Sequence, residues 1–174
     1  MKTEEIAYVS VLTALGIIFS YLESLLPIFT AVPGIKLGLA NIVTLYALYT
    51  FGFKQAFIIS ILRIVVVSFL FGSVLTLLYS TAGGLLSLLG MFFLKKTKLL
   101  SITAVSIIGA ILHNLAQFAL SCIILKTFAL KYYLIAMLFF AVVSGTVIGI
   151  LSSKIIHCFQ VSWSKCYEEC FESL

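Results

Sequence analysis

Aspartate is absent from this chain of 174 residues: the six acidic side chains are all glutamates. That excludes chemistry in which paired aspartates hold magnesium, including the catalytic subunit of an aspartate-rich prenyl synthase. Charge of either sign is scarce, since charged residues make up 10% of the chain against about 25% in soluble domains. So few charges cannot cover a soluble surface. There are only two prolines, Pro27 and Pro33, and both fall in one short segment. No GxxxxGK[ST] phosphate loop and no GxSxG, HExxH or CxxC motif occurs, so ATP hydrolysis by a P-loop and the common hydrolase and redox chemistries are excluded. No basic surface interleaved with aromatics points to nucleic acid, and no cofactor is called for.

What is present is apolar: 63% of residues are hydrophobic and the mean hydropathy is +1.25, the composition of an integral membrane protein. Continuous apolar runs, without the ten-residue alternation of barrel strands, make the fold class all-α. Breaks at Gly, Pro and Lys delimit six spans: Ile6 to Leu26, Ile35 to Phe51, Lys54 to Phe71, Val74 to Leu94, Leu99 to Leu125, and Tyr132 to Ile156. The expected organisation is a six-transmembrane-helix bundle over residues 1–156 and a cytoplasmic tail over 157–174. The first span directly follows Met1 to Glu5 and reads as retained, not as a cleaved signal peptide.

Lysines set the direction, because cytosolic loops carry the excess of positive charge. An inside N-terminus places Lys2, Lys54, Lys95, Lys96, Lys98, Lys154 and Lys165 inside, and Lys36, Lys126 and Lys131 outside. Both termini are therefore expected in the cytoplasm, with Lys95, Lys96 and Lys98 as a topology anchor and anionic lipid as a second option. The segment Pro27 to Gly38, PIFTAVPGIKLG, cannot be helical throughout; it reads as a lid over an outer cavity or as a plain turn. In the tail, Trp163, Tyr167 and Phe171 recur at helical spacing, consistent with a surface-lying amphipathic helix. His157, Cys158, Cys166 and Cys170 match no zinc spacing, so no metal site is expected. With Cys122 inside a span and three cysteines in a cytosolic tail, no disulfide framework is expected either.

Ionisable groups inside a membrane cost roughly 2.5 to 3.5 kcal/mol each and call for a functional explanation. Two are present, Glu23 and Arg63, which differ in depth by about 11 Å along their helices, so a direct pair requires the arginine to reach upward. Arg63 reads either as a structural cation or as the floor of an anion site. His113, Gln117 and Ser121 share one helix face with Asn114 beside them, and Asn41, Lys36 and Glu23 fall at similar depth. Seven residues are thus ligand-binding candidates for an outward-facing pocket: Glu23, Lys36, Asn41, Arg63, His113, Asn114 and Gln117. The competing reading for each is interhelical hydrogen bonding. Ala141, Gly145, Gly149 and Ser153 form a small-residue face for close helix packing, and Ala7, Ser10 and Ala14 form another, which fits a helix of the same chain or of a partner. Tyr132 and Tyr133 suit an interfacial belt.

The segment PGIKLGLANIVTL at Pro33 to Leu45, with TALG at Thr13 to Gly16 and RIVVVSFLFGS at Arg63 to Ser73, resembles the heptaprenyl diphosphate synthase component I family, also called the Gx transporter family. The likeness covers roughly Ile6 to Ile156. That family is similar to the S components of energy-coupling factor transporters, six-helix bundles with both termini inside. The resemblance implies a non-enzymatic subunit that captures a small organic or isoprenoid-related solute from the outer side. It implies as partners the solute, the lipid bilayer, a transmembrane coupling subunit docked on the face of Ala7, Ser10 and Ala14, and two cytosolic ATPases. In S components that docking face is an Ala-xxx-Ala pair, where this chain has Ser10 and Ala14. The alternative, from the family name itself, is a non-catalytic membrane accessory that recruits a soluble prenyl synthase through cytosolic loops and tail.

Overall fold

Long runs of Leu, Ile, Val and Phe favour helix wherever no proline or glycine pair interrupts them, because in lipid each backbone group must find its partner within the segment. The computed structural model describes residues 3–25, 38–126 and 131–172, with the side chains of 4, 131–133 and 160–172 outside that description. Its regular elements are six α-helices: α1 Thr3–Leu25, α2 Leu39–Thr50, α3 Phe53–Phe71, α4 Val74–Thr97, α5 Ile102–Leu125 and α6 Lys131–Glu172. Five stretches, 5–25, 53–71, 74–97, 102–125 and 134–159, are long and apolar enough to cross a membrane. The chain is a multi-pass, all-α membrane protein.

α2 is the exception. Its 12 residues extend only about 18 Å, short of a hydrocarbon core of about 30 Å. The second span expected from the sequence began at Ile35; residues 35–37 lie outside the description, and the described helix starts after Gly38 in a left-handed conformation (φ 76°). α2 is also the most enclosed element: Ala40, Ile42, Val43, Thr44, Leu45, Ala47 and Leu48 are buried. It packs against α1, α3, α4 and α6, and its apolar side chains join Val9, Ala56, Ile59, Leu88, Met91 and Val105 in the core.

Local chemistry marks the helix ends. The N–H groups of Phe51 and Gly52 both donate to the Ala47 carbonyl, and Gly52 has the positive φ (96°) that turns the chain sharply into α3. Ser73 and Ser101 cap α4 and α5, accepting from the N–H groups of Thr76 at 3.3 Å and Ala104 at 3.2 Å. No helix break marks the expected boundary between 156 and 157: α6 runs on to Glu172.

Helices alternate in direction, and ring contacts define the two ends of the bundle. Tyr8 and Phe51 (5.6 Å), Phe53 and Phe92 (4.6 Å), and Tyr46 and Phe159 (5.8 Å) gather at one end, which also carries Lys54, Lys95, Lys96, Lys98 and Lys154. This is the lysine end. Tyr21 and Phe71 (4.8 Å) meet at the other, where α1 ends near Glu23. On α1, Val11, Leu15, Ile18, Leu22 and Leu25 remain exposed, as suits a face turned to lipid.

The closest packing joins α5 and α6. A Cβ placed on Gly145 would lie 2.8 Å from the Ile107 Cα, and one on Gly149 would lie 2.7 Å from the Thr103 Cα, so backbone meets backbone. Replacing Gly145 by valine is expected to destabilise the bundle by about 1 to 3 kcal/mol through overpacking. Val142→Leu on the exposed face of the same helix is expected to stay within about 0.5 kcal/mol. Denaturant unfolding of the two variants in mixed micelles checks both values.

Candidate functional site

Glu23 is buried on α1, and its Oε1 accepts a hydrogen bond from the Gly38 N–H at 2.6 Å. Gly38 is the N-cap of α2 and offers no side chain of its own, so the α1 carboxylate sits at the positive end of the α2 dipole. The Asn41 N–H closes the first turn by donating to the Gly38 carbonyl at 2.8 Å, and a Cβ on Gly38 would lie 3.2 Å from Asn41 Nδ2. Arg63, buried on α3, lays its stem over Gly16 of α1: a Cβ there would come within 3.1 Å of Arg63 Cδ. The same Gly16 position also faces Val43 of α2, so Arg63 sits where α1, α2 and α3 meet. Arg63 Nε is occluded without a hydrogen-bond partner among the described residues.

The other end of α2 is held by a group read from sequence as an anchor. Lys95 Nζ donates to the Leu48 carbonyl at 2.6 Å, lies 3.5 Å from the Tyr49 carbonyl, and stands 5.0 Å from the centre of the Tyr49 ring. These carbonyls belong to the last turn of α2, where no intrahelical donor remains. Lys95 is therefore an internal cap. Adjacent Lys96 and Lys98 are exposed, as are Lys54 and Lys154. The same spacing of lysines in a helix end fits either role, and only the register of α4 against α2 separates them.

The candidates on α5 lie elsewhere. The His113 ring packs flat on Gly83 of α4: a Cβ there would fall 2.8 to 2.9 Å from three of its ring atoms. Its Nε2 is 3.1 Å from Gln117 Nε2, one turn along the same helix, and Ser121 Oγ donates to the Gln117 carbonyl at 2.9 Å. Gln117 is buried, and its Oε1 is occluded with no partner among the described residues. Asn114 Nδ2 donates to the Met137 carbonyl at 2.9 Å, tying α5 to α6. The neighbouring Gly84 faces the opposite way, toward Ile64 and Ser60 of α3. The pair Gly83 and Gly84 thus lets α4 seat an imidazole on one side and α3 on the other, a role its unremarkable spacing in the sequence did not reveal.

Six of the seven ligand candidates expected to converge on one pocket have their described contacts at helix junctions. Glu23, Asn41 and Arg63 belong to the α1, α2 and α3 junction, His113 and Gln117 to the α4 and α5 seam, and Asn114 to a helix cross-link. Lys36 and most of the Pro27 to Gly38 segment lie outside the described residues. Ala7, Ser10 and Ala14 are exposed on α1, with Ser10 Oγ turned to the Ile6 carbonyl at 2.9 Å. Ala141, Gly145 and Gly149 are buried on α6, Ser153 is half-buried, and its neighbour Ser152 is the fully enclosed serine. Cys122 and Cys158 are free thiols, and among the described residues no group of His, Cys, Asp or Glu could hold a metal ion. The side chains of Tyr132, Tyr133, Cys166 and Cys170 lie outside the description.

These features define a helical membrane protein whose best-connected polar groups hold helices to one another. Residues 12–155 match the family model for heptaprenyl diphosphate synthase component I, and the chain belongs to that family. No curated protein and no solved structure matches it. Component I is the non-catalytic accessory subunit of that synthase, and the chain is not an enzyme. The match overturns the expectation of a solute-capturing S component of an energy-coupling factor transporter: the family is a synthase component. Physically, shared depth along the sequence is a weak guide to convergence, since residues at one level can face different neighbours around a bundle.

Lys95→Met keeps a chain of similar length but removes the donor to Leu48. It is expected to destabilise the bundle by about 1 to 3 kcal/mol, the cost of an unsatisfied buried carbonyl. Lys96→Met at the exposed neighbouring position is expected to change stability by less than about 0.5 kcal/mol. Thermal unfolding of both variants in the same detergent makes the comparison.

Proposed function

We propose that this protein is the membrane-embedded, non-catalytic component of a heptaprenyl diphosphate synthase and gathers a soluble catalytic component at the bilayer surface. The family match over residues 12–155 carries the reading. In this reading the six helices form one bundle, the lysine end faces the cytoplasm together with both termini, and the bilayer takes up the apolar faces of α1 and α3 to α6. Support for that direction comes from the exposed Lys54, Lys96, Lys98 and Lys154 at one end, since cytoplasmic loops are enriched in lysine and arginine. α6 supports it as well. With 42 residues it extends about 63 Å, well past its apolar stretch 134–159, and so carries helix out of the membrane at the lysine end.

Such a division fits the chemistry of the chain. A chain without aspartate lacks the aspartate-rich magnesium site of prenyl transfer, while a long polyprenyl tail partitions into the apolar layer of a bilayer. The membrane component supplies position and an apolar surface, and the soluble component supplies the reaction. Of the residues proposed from sequence, Glu23, Asn41, Arg63, His113, Asn114 and Gln117 act here as the framework of the bundle; Ala7, Ser10 and Ala14 are left as a contact face within the membrane.

Affinity purification of the tagged chain from its native membranes in mild detergent, followed by mass spectrometry of the proteins that accompany it, tests the proposal. An aspartate-rich soluble prenyl synthase is expected to co-purify and to be lost from the membrane fraction when the chain is deleted. A synthase distributed identically with and without the chain contradicts it.

A further inference from the structure

Lys54 at the start of α3 and Lys95 and Lys96 at the end of α4 lie at the same end of the bundle, where Phe53 meets Phe92, but have different neighbours. Lys95 is consumed inside the bundle by the α2 carbonyls, while Lys54 and Lys96 are exposed. Lys54 stands in the first turn of α3, a turn with no acidic residue and no side-chain cap. A cation at the positive end of a helix is disfavoured by the dipole, so helix stability does not account for it. Glu5 of α1 is the acidic side chain described at this end. Among the described side chains, this end carries exposed Lys54, Lys96, Lys98 and Lys154 against Glu5, an excess of positive charge.

Beneath the two lysines runs a wall of phenylalanines. Phe57 meets Phe53 at 6.0 Å, Phe53 meets Phe92 at 4.6 Å, and Phe92 meets Phe93 at 5.7 Å, so the four rings bridge the seam between α3 and α4. The outer two of the four are open, Phe57 at 39% and Phe93 at 63% exposure. Because α3 and α4 run in opposite directions, Phe57 lies about one turn deeper than Lys54 and Phe93 about one turn deeper than Lys96. Two cations thus stand over a continuous aromatic surface that descends into the apolar layer. An occupant matching both parts has an anionic phosphate head and a long, unsaturated hydrocarbon tail.

We propose that the α3 and α4 seam is a binding site for the polyprenyl diphosphate product, with the diphosphate on Lys54 and Lys96 and the first isoprene units along Phe57, Phe53, Phe92 and Phe93. The choice of a prenyl tail over an ordinary phospholipid rests on the function proposed above. The site receives product at the cytoplasmic surface and feeds its tail into the bilayer.

Native mass spectrometry of the full chain in detergent, titrated separately with heptaprenyl diphosphate, heptaprenol and phosphatidylglycerol, reads the site directly. Heptaprenyl diphosphate is expected to be retained in preference to the other two, and K54Q/K96Q to weaken its retention about 30-fold, as two interfacial cations would. F57A/F93A is expected to weaken it as well, and Lys126→Gln at the opposite end to leave it unchanged. Gel filtration confirms that each variant is folded; K96Q alone, at an exposed helix end, serves if the double variant is not. Equal retention by K54Q/K96Q and the parent chain overturns the proposal, as does retention of phosphatidylglycerol equal to that of the diphosphate. Co-purification of the synthase with the same variants separates the two proposals: product binding without synthase recruitment refutes the accessory function and leaves the site, and recruitment without product binding does the reverse.

Discussion

A helix too short to cross a bilayer must have both of its ends satisfied inside the protein, because lipid offers no hydrogen bonds to exposed backbone groups. α2 meets this demand with one ion at each end: Glu23 of α1 accepts from Gly38 at its start, and Lys95 of α4 donates to Leu48 at its finish. The signs match the dipole, negative at the N-terminus and positive at the C-terminus. Two helices distant in sequence are thereby fixed in register against a third. Arg63 joins the same arrangement by packing: its stem fills the space that Gly16 leaves beside α1.

The rest of the bundle follows from glycine and serine spacing on the later helices. Gly145 and Gly149 bring α6 onto the α5 backbone, Gly109 of α5 leaves room for Met91 of α4, and Gly83 and Gly84 open α4 on two sides. α4, α5 and α6 form one tightly packed layer, α1 and α3 form another, and α2 lies between them in contact with both. Its enclosure explains why its apolar residues make up so much of the core. It also leaves α1, with its row of exposed Val, Leu and Ile, as a helix covered mainly by lipid.

Much of the fold was legible in the chain itself. Apolar length gave six spans, five of which are helices long and apolar enough to cross a membrane, and the breaks at Gly, Pro and Lys fall within a few residues of most of the observed helix ends. The small-residue repeat on α6 lies on a buried face because its cause is local: glycine at four-residue spacing leaves a flat strip whatever it meets. The shortness of α2 was harder to see, since the apolar run continues through Ile35 while the left-handed Gly38 ends the helix. Roles that depend on a partner from another helix were not legible. Lys95 looks like Lys96 in sequence; Asn114 looks like a ligand group until Met137 lies opposite. Whether a buried polar residue binds a solute or a neighbouring helix depends on what faces it, which spacing along one helix does not contain.

Hydrogen exchange of the full chain in lipid nanodiscs, with and without the soluble synthase component, measures the central claim at both levels. A clamped and enclosed α2 predicts slow exchange across residues 42–48 in either state, despite the helix being only 12 residues long. An accessory acting through its lysine end predicts that the synthase adds protection around 97–101 and leaves 22–25 and 38–41 unchanged. Fast exchange within α2, or protection gained at the Glu23 end instead, contradicts the account.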